Sequence, residues 1–416
     1  MTSILAQRLP PVMRKMHLVT SSGLIAIASF RQVLAAPSSL VSERSAKLET
    51  IDPADKYIIT LKSGVNVTVH LSFAQGLHGN DATTGGLLGQ YDIGNFQGYY
   101  GHYNKTTIEQ IKRHDDVAAV EKDQSWTPSR MTAQYNSPNY GLGHISHRAL
   151  RDPSLYIYDS SAGAGTYAYI LDSGINDRHI DFEGRARLGH NTMQYEQKKD
   201  TTGHGTHIAG LIGSKTFGVA KQCKMIAVKV VYNNRANTGV TLRGYQWAVQ
   251  HILQYNRRGN SVINISVNGP PSGALDNAVR EAYGRGILTV VSAGNNGGDA
   301  RQYAPGVGTA LVVAAADRYR RRASFSNGGP GVSLFGPGVE ILSTWIGSDR
   351  ATSRQSGTSM AAAHVAGMVL YLKVLYPRRM ATAAQARSYV INTATTQAVG
   401  RVGDAPNKFA YNGSGS

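Results

Sequence analysis

The sequence Tyr167-Ala168-Tyr169-Ile170-Leu171-Asp172-Ser173-Gly174 joins an apolar run of strand length to a carboxylate and a glycine. A short, continuous apolar run bounded by a turn signal is typical of a strand buried on both faces of a sheet. Open α/β sheets build their sites at the carboxyl ends of such strands. This stretch therefore predicts a buried strand that carries Asp172 to the functional edge of a sheet.

Similar runs follow along the chain. Residues 224–231, 261–267, 287–292 and 310–315 are apolar, β-branched and of strand length. Helical patterns lie between or after them, over residues 204–214, 241–255, 273–284 and 359–375. Strands that alternate with helices predict an α/β fold of three layers, in which helices cover both faces of a mainly parallel sheet.

Two more segments add a histidine and a serine to this carboxylate. They are Gly203-His204-Gly205-Thr206-His207 and Ser356-Gly357-Thr358-Ser359-Met360-Ala361. A serine hydroxyl becomes a good nucleophile only when a histidine takes its proton and a carboxylate orients that histidine. The pattern thus predicts Ser359 as nucleophile, His204 as general base and then acid, and Asp172 as the group that holds the imidazole.

The three segments and their flanks resemble the subtilisin family in its proteinase K branch. The flanks are Phe182–Ala186 after the Asp segment, Ala209-Gly210 after the His segment and His364–Gly367 after the Ser segment, and the chain order Asp, His, Ser is the subtilisin order. The resemblance runs from about Gln134 to Tyr411. It implies a subtilisin-like fold and a broad-specificity serine endopeptidase that hydrolyses peptide bonds through an acyl-enzyme.

The resemblance also implies groups that bind the substrate. Asn295, which follows Ala293-Gly294, takes the place of the amide that donates to the tetrahedral oxyanion. An extended peptide would lie between two edge strands, Ser266-Val267-Asn268-Gly269 and Asn237-Thr238-Gly239-Val240. Relatives usually have glycine where Asn268 stands. Apolar or aromatic residues are expected before the scissile bond, and the effect of Asn268 on this preference is left open.

No metal or other cofactor is expected to take part in catalysis. Relatives bind structural calcium through a carboxylate at the position of Ser333, so this calcium site is doubtful here and the metal ligands are unknown. His207 is expected to be packed and hydrogen-bonded. Cys223 is the only cysteine, which excludes an intramolecular disulfide and indicates a partly buried structural thiol.

The residues before the peptidase divide into two parts. Residues 1–36 have the basic start, the apolar stretch and the small residues of a signal peptide, which predicts a secreted, extracellular protein. Residues 37–131 contain strand signals at 56–62, 96–103 and 117–123 and a helical one at 107–114, which predict a small α+β domain. This domain resembles an inhibitory propeptide, so residues 132–416 would be the peptidase, released by self-cleavage between Arg130 and Ala133.

The net charge differs between the two domains. Residues 37–131 contain 9 Lys and Arg against 11 Asp and Glu, whereas residues 132–416 contain 30 against 15, within a chain of net charge +17. The basic residues are spread along the peptidase and no nucleic-acid motif is present, so nucleic acid is not an expected partner. The expected partners are protein substrates and the chain's own propeptide. No membrane association is expected, and the protein is expected to be a monomer. The alternative function is a binding-only subtilisin homologue that has lost catalysis.

Four asparagines carry the acceptor pattern for N-glycosylation: Asn66, Asn104, Asn264 and Asn412. Asn264 lies within a predicted core strand and is expected to stay unmodified. The two in the propeptide are open to glycosylation, which predicts a glycoprotein precursor.

Overall fold

The computed structural model describes residues 55–79, 81, 83–124, 131–193, 197, 199–233 and 235–415. The predicted signal peptide and the start of the propeptide lie outside the described residues. The chain divides into two compact units, Met1–Thr127 and Pro128–Ser416. This division lies four residues before the predicted domain boundary, because Met131 already belongs to a strand of the second unit.

The part of the first unit that the structure describes is a four-stranded antiparallel sheet in the order β2-β3-β1-β4, with two helices. Its elements are β1 (Lys56–Leu61), α1 (Val67–His78), β2 (Gly86–Ile93), β3 (Phe96–His102), α2 (Lys105–Lys112) and β4 (Val117–Lys122). Burial alternates along β1, where Tyr57, Ile59 and Leu61 face the core. The unit is therefore α+β, as its sequence predicts.

Two elements of this unit were not predicted. The Val-rich sequence of α1 is a poor helix signal, but the Asn66 side chain accepts a hydrogen bond from the Val69 amide and caps the helix. Strand β2 has few β-branched residues and is formed by pairing with β3. Tertiary contacts and capping outweigh local propensity in both cases.

The second unit contains the larger sheet. Its strands are β5 (Met131–Gln134), β6 (Tyr156–Asp159), β7 (Tyr167–Asp172), β8 (Ala186–Asn191), β9 (Lys224–Lys229), β10 (Ser261–Ile265), β11 (Thr289–Ser292), β12 (Leu311–Ala316), β13 (Leu334–Pro337), β14 (Ile341–Thr344), β15 (Thr352–Gln355), β16 (Thr395–Thr396) and β17 (Lys408–Phe409). Its α-helices are α3 (Tyr140–Ser146), α4 (His204–Gly213), α5 (Thr238–Gln254), α6 (Gly273–Gly284), α7 (Thr358–Leu375) and α8 (Ala383–Thr393). Short 3₁₀ turns cover Ile180–Phe182, Arg258–Asn260 and Ala300–Gln302.

Nine strands form one sheet in the order β16-β17-β13-β12-β11-β10-β7-β9-β8. All neighbours are parallel except β16, which runs antiparallel to β17. The order reverses between β7 and β10, since β9 and β8 extend the sheet to one side of β7 and β10 to β13 extend it to the other. Sites of open α/β sheets lie at such a reversal. Two antiparallel strand pairs, β5–β6 and β14–β15, lie outside this sheet.

The central strands are buried along their whole length. Every residue of β10, β11 and β12 is buried, and side chains of a strand alternate between its two faces. Uninterrupted burial therefore requires cover on both faces, which confirms the predicted three-layer α/β fold. Helix α7 is long and apolar enough to cross a membrane, but it is buried from Thr358 to Lys373 and is the core helix of this domain.

Candidate active site

The ends of three adjacent strands bring the predicted site residues together. Asp172 is the last residue of β7, and Ser266 follows β10 directly. In the parallel register Ile265 pairs with both Leu171 and Val291, so Ser266 lies beside Asp172 on one side and beside Ser292 on the other. Neighbouring strands are about 4.8 Å apart, so side chains at these strand ends are within reach of one another.

Asp172 and His204 are hydrogen-bonded. His204 Nδ1 lies 2.8 Å from Oδ1 and 2.9 Å from Oδ2 of Asp172. The Asp172 carboxylate is buried, whereas the His204 side chain is 33% exposed. This contact fixes the imidazole with Nδ1 toward the carboxylate and leaves Nε2 for another partner, as a general base requires.

Gly203 makes the turn that places His204 at the first position of α4. Its φ is +90°, in the left-handed region that favours glycine, and a Cβ there would lie 2.5 Å from the Trp345 indole. A larger residue would strain the backbone and displace the ring of Trp345. The glycine before His204 is therefore required by both conformation and space.

Asp200 is a functional residue that the sequence reasoning missed. This buried carboxylate accepts hydrogen bonds from the Gly203 and Thr206 amides, each 2.9 Å, and from the Thr206 hydroxyl, 2.7 Å. It also accepts from the Ser173 hydroxyl at 2.8 Å. Asp200 thus joins the residue after Asp172 to the first turn of α4. Asp200 could have been found from its position just before a helix N-terminus, where a carboxylate accepts hydrogen bonds from free amides.

The pKa of His204 results from opposing influences. Burial disfavours the imidazolium, but the charge of Asp172, its hydrogen bond and the charge of Asp200 outweigh this, so the pKa of His204 is above its usual value. The buried carboxylates therefore stabilise the protonated imidazole that forms when His204 takes a proton.

Ser359 lies in the first turn of α7 beside the end of β10. The helix begins at Thr358 with Gly357 as its N-cap, so Ser359 is the second helical residue and not the start of the helix as predicted. The Ser359 hydroxyl donates to the Ser266 carbonyl oxygen over 3.0 Å. Since Ser266 is the neighbour of Asp172 across the sheet, Ser359 and the Asp172–His204 pair lie at adjacent strand ends.

Asn295 follows β11, the next strand. Its side-chain oxygen accepts hydrogen bonds from the Thr358 amide at 2.8 Å and from the Thr358 hydroxyl at 2.9 Å. The Gly294 amide in turn donates to that hydroxyl over 3.1 Å. These contacts set the amide orientation, so the Asn295 NH₂ group is directed away from Thr358. Thr358 is a second positioning residue that the sequence reasoning did not identify.

A cavity of about 280 Å³ opens beside this edge. Several predicted substrate-binding residues line it, namely Asn237, Thr238, Val267, Asn268 and Gly269, whereas Ser266, Gly239, Ala293 and Gly294 do not. Asn268 Oδ1 accepts a hydrogen bond from the Ser292 hydroxyl over 2.8 Å. The Asn268 side chain is therefore held at the wall of the cavity.

The prediction of edge strands at residues 266–269 and 237–240 is wrong, because β10 ends at Ile265 and residues 266–269 are not in a strand. Helix α5 begins at Thr238, and the Asn237 side chain caps it by accepting from the Val240 amide over 2.9 Å. An asparagine that precedes a helix favours this conformation because it satisfies a free amide. Residues 237 and 238 still border the cavity, but as a helix start.

His207 is packed and hydrogen-bonded, as expected. His207 Nε2 lies 3.0 Å from the Ile341 carbonyl oxygen, and burial lowers the pKa of His207 to about 3. Cys223 is fully rather than partly buried, and burial raises its pKa to about 12, so it stays a neutral thiol. The Ser333 hydroxyl accepts a hydrogen bond from the Val312 amide over 3.1 Å, so it binds the backbone of β12.

The side-chain amide nitrogens of two asparagines with the acceptor pattern for N-glycosylation are hydrogen-bonded within the second unit. Asn264 Nδ2 donates to the Ser266 hydroxyl over 2.9 Å, and Asn412 Nδ2 donates to the Ile157 carbonyl oxygen over 2.9 Å. Both side chains are buried. Asn264 and Asn412 are therefore inaccessible to a glycan in this fold, whereas Asn66 is exposed.

Known proteins share both units. Residues 163–411 match the subtilase family, peptidase S8, and residues 56–129 match the peptidase inhibitor I9 family. Alkaline protease 1 of Aspergillus clavatus is 43% identical over 371 residues, which are 86% of this chain and 91% of that protein. The alkaline proteinase of Hapsidospora chrysogena is 41% identical over 397 residues, 92% and 97% of the two chains.

The crystal structure of a cold adapted subtilisin-like serine proteinase is also similar, with a TM-score of 0.61 and 33% identity over 66% of this chain and 98% of that one. The fold and these matches define a serine endopeptidase, a hydrolase of peptide bonds. The chain belongs to the subtilase family and carries an inhibitor I9 propeptide domain before its peptidase domain. The resemblance seen in the sequence is confirmed at the level of family, fold and enzyme class.

Proposed function

We propose that Asp172, His204 and Ser359 form the catalytic triad of this peptidase. The observation that carries the proposal is the Asp172–His204 hydrogen-bonded pair at the end of β7, beside Ser359 at the end of β10. For catalysis the Ser359 hydroxyl leaves the Ser266 carbonyl oxygen and gives its proton to His204 as it attacks the scissile carbonyl carbon. His204 then protonates the leaving amine, and water hydrolyses the acyl-enzyme by the same route.

The oxyanion of each tetrahedral intermediate is stabilised by Asn295. Because Thr358 binds the Asn295 oxygen, the NH₂ group is the part of this side chain that can donate. Ser359 lies in the first turn of α7, where the partial positive charge of the helix N-terminus favours a negative oxygen. The donor is oriented before substrate binds, so no reorganisation is required as charge develops.

The cavity between Val267–Gly269 and the start of α5 receives the side chain before the scissile bond. Its volume of about 280 Å³ accommodates an apolar or aromatic side chain, and Asn268 adds a polar wall where relatives have glycine. The backbone after β10 supplies main-chain hydrogen bonds to an extended peptide. Substrates are proteins and peptides of the extracellular space.

The enzyme is made as a secreted zymogen. Residues 1–36 direct export, residues 37–131 inhibit the peptidase of the same chain, and self-cleavage between Arg130 and Ala133 frees a monomeric enzyme of residues 132–416. Met131–Gln134 pairs with Tyr156–Asp159, so this segment must leave β6, or pair with it only after the cut, to be cleaved. Catalysis requires no metal, and structural calcium is not expected at Ser333.

Substitution of the nucleophile tests this proposal. The Ser359→Ala precursor, expressed in a protease-free host, should accumulate uncut, whereas the wild type should yield a product that begins near Ala133, as read by intact mass. A Ser353→Ala variant, altered at a serine outside the site, is the matched control and should be processed like the wild type. Normal processing of Ser359→Ala would refute self-cleavage by Ser359.

A further inference from the structure

Three side chains with metal-binding atoms converge within the first unit. His70 lies on α1, His114 follows α2, and Asp116 precedes β4. Asp116 Oδ2 lies 3.3 Å from His70 Nδ1 and 3.5 Å from His114 Nδ1, and the three ligand atoms all lie within 4.8 Å of one another. Nothing in the proposed peptidase chemistry uses this cluster.

The spacing suits a tetrahedral metal ion. Zn²⁺ binds imidazole nitrogen and carboxylate oxygen at about 2.0–2.2 Å, and tetrahedral angles then place the ligand atoms roughly 3.3–3.5 Å apart. The two distances to Asp116 Oδ2 fall in this range. The ligand atoms of the two histidines lie within 4.8 Å of each other, and closer approach on metal binding would come from His114, because its side chain is 31% exposed whereas His70 is buried.

The hydrogen bonds around the cluster bear on which histidine nitrogens can bind a cation. His70 is buried, and its Nε2 faces the Tyr99 hydroxyl at 3.2 Å, which can accept the Nε2 proton and leave Nδ1 free to bind a cation. His114 Nδ1 accepts from the Asp116 amide at 3.2 Å, so that nitrogen carries no proton, but its lone pair must turn away from this amide to bind a cation. In His70 the second nitrogen is hydrogen-bonded, which is the usual arrangement of a metal-binding histidine.

We propose that the propeptide domain binds one Zn²⁺ ion through His70 Nδ1, His114 Nδ1 and Asp116 Oδ2, with solvent as the fourth ligand. The ion would join the helix α1, the turn after α2 and the start of β4. Among the described residues of this unit the core is small, with eight buried apolar side chains, namely Tyr57, Ile59, Leu61, Ala74, Tyr99, Tyr103, Ile108 and Ile111. An ion that binds only the folded domain adds its binding free energy to the stability of that domain. Zn²⁺ should therefore stabilise the folded propeptide domain.

The test uses the full Ser359→Ala precursor, with its intact mass verified first. Titration with Co²⁺, as a spectroscopic substitute for Zn²⁺, should give the visible d–d absorption of tetrahedral coordination, which one equivalent of Zn²⁺ should abolish. Adding His114→Ala or Asp116→Asn should remove this absorption and one bound Zn²⁺. Tyr99→Phe should weaken Zn²⁺ binding by about 10- to 100-fold, the usual effect of removing a partner of a ligand.

His78→Ala is the matched control, because His78 lies on the same helix but contacts Thr84 instead. It should leave the Co²⁺ spectrum and the Zn²⁺ stoichiometry unchanged. Absence of a tetrahedral Co²⁺ spectrum in the Ser359→Ala precursor overturns the proposal, whatever the variants do. So does a spectrum that His114→Ala and Asp116→Asn leave intact.

Discussion

His204 is held between two buried carboxylates with different roles. Asp172 contacts the imidazole directly, whereas Asp200 contacts the amides around it. Burial alone would lower the pKa of His204, and the two negative charges reverse that effect. The protonation equilibrium of the proposed base therefore depends on a residue that never touches it.

The acid limb of the pH profile follows from this shift. Catalysis needs neutral His204, and its pKa is raised, so activity should be lost as pH falls through a midpoint above the usual value of about 6.5. Asp200→Asn removes one of the charges and should move the midpoint of kcat/KM to lower pH. A pH series of kcat/KM for the two enzymes measures the midpoints. An unchanged midpoint in Asp200→Asn would contradict the role given to this carboxylate.

Asn295 and Thr358 allow a paired comparison at the oxyanion site. Asn295→Ala should lower kcat by about 10²- to 10³-fold with little change in KM. This magnitude is taken from a subtilisin, which is the standard example of such a donor. Thr358→Val keeps the backbone contact but loses the hydroxyl, so kcat should fall less. Steady-state kinetics on a peptide substrate give both constants. Equal effects on kcat and KM in Asn295→Ala would argue against a donor to the transition state.

The sequence predicted those elements whose local residue pattern and tertiary contacts favour the same secondary structure. Helix α6 matches its predicted bounds at both ends, and β7 differs by one residue, because apolar runs between turn signals match buried strands and helices. Helix α1 and the start of α5 could not be predicted in this way. Their first turns depend on asparagine caps, which outweigh β-branched or turn-like sequences.

Site residues in recognisable motifs were predicted, whereas the residues that position them were not. Asp172 ends β7 and Asn295 follows β11, whereas His204 and Ser359 lie in the first turns of α4 and α7. Asp200 and Thr358 act through hydrogen bonds to residues near in space, and a single sequence does not show such partners. The cavity likewise could not be predicted from the sequence, because its wall combines the start of α5 with the residues after β10, which are distant along the chain.

The segment after β10 gives a prediction about specificity. Asn268 is bonded to Ser292 at the cavity wall, so Asn268→Gly should enlarge the cavity and remove a polar group. The preference for large apolar residues before the scissile bond should increase by roughly 10-fold, the order expected for modest changes in an apolar pocket. Kinetics on peptides that differ only at that residue measure the ratio, with Asn296→Gly as control. An unchanged ratio would exclude Asn268 from the specificity pocket.

The proposed catalytic residues and the proposed metal site belong to different units of the chain. The proposed chemistry of the peptidase domain uses no ion, whereas the proposed Zn²⁺ site lies in the domain that the proposed self-cleavage removes. Chelation should therefore leave the turnover of the mature enzyme intact while lowering the thermal stability of the precursor. Activity and thermal unfolding, measured with and without EDTA, separate the two. Complete loss of turnover without unfolding would contradict a metal-free serine mechanism.

The identity of the nucleophile is tested most directly by covalent labelling. The mature enzyme should react with a phosphonyl fluoride at one equivalent, lose its activity in proportion, and carry the adduct on Ser359 when the labelled peptides are mapped by mass spectrometry. Asp172→Asn should fold but react far more slowly, because its imidazole is no longer held for proton transfer. An adduct on another residue, or full activity after Ser359 is labelled, would contradict the account.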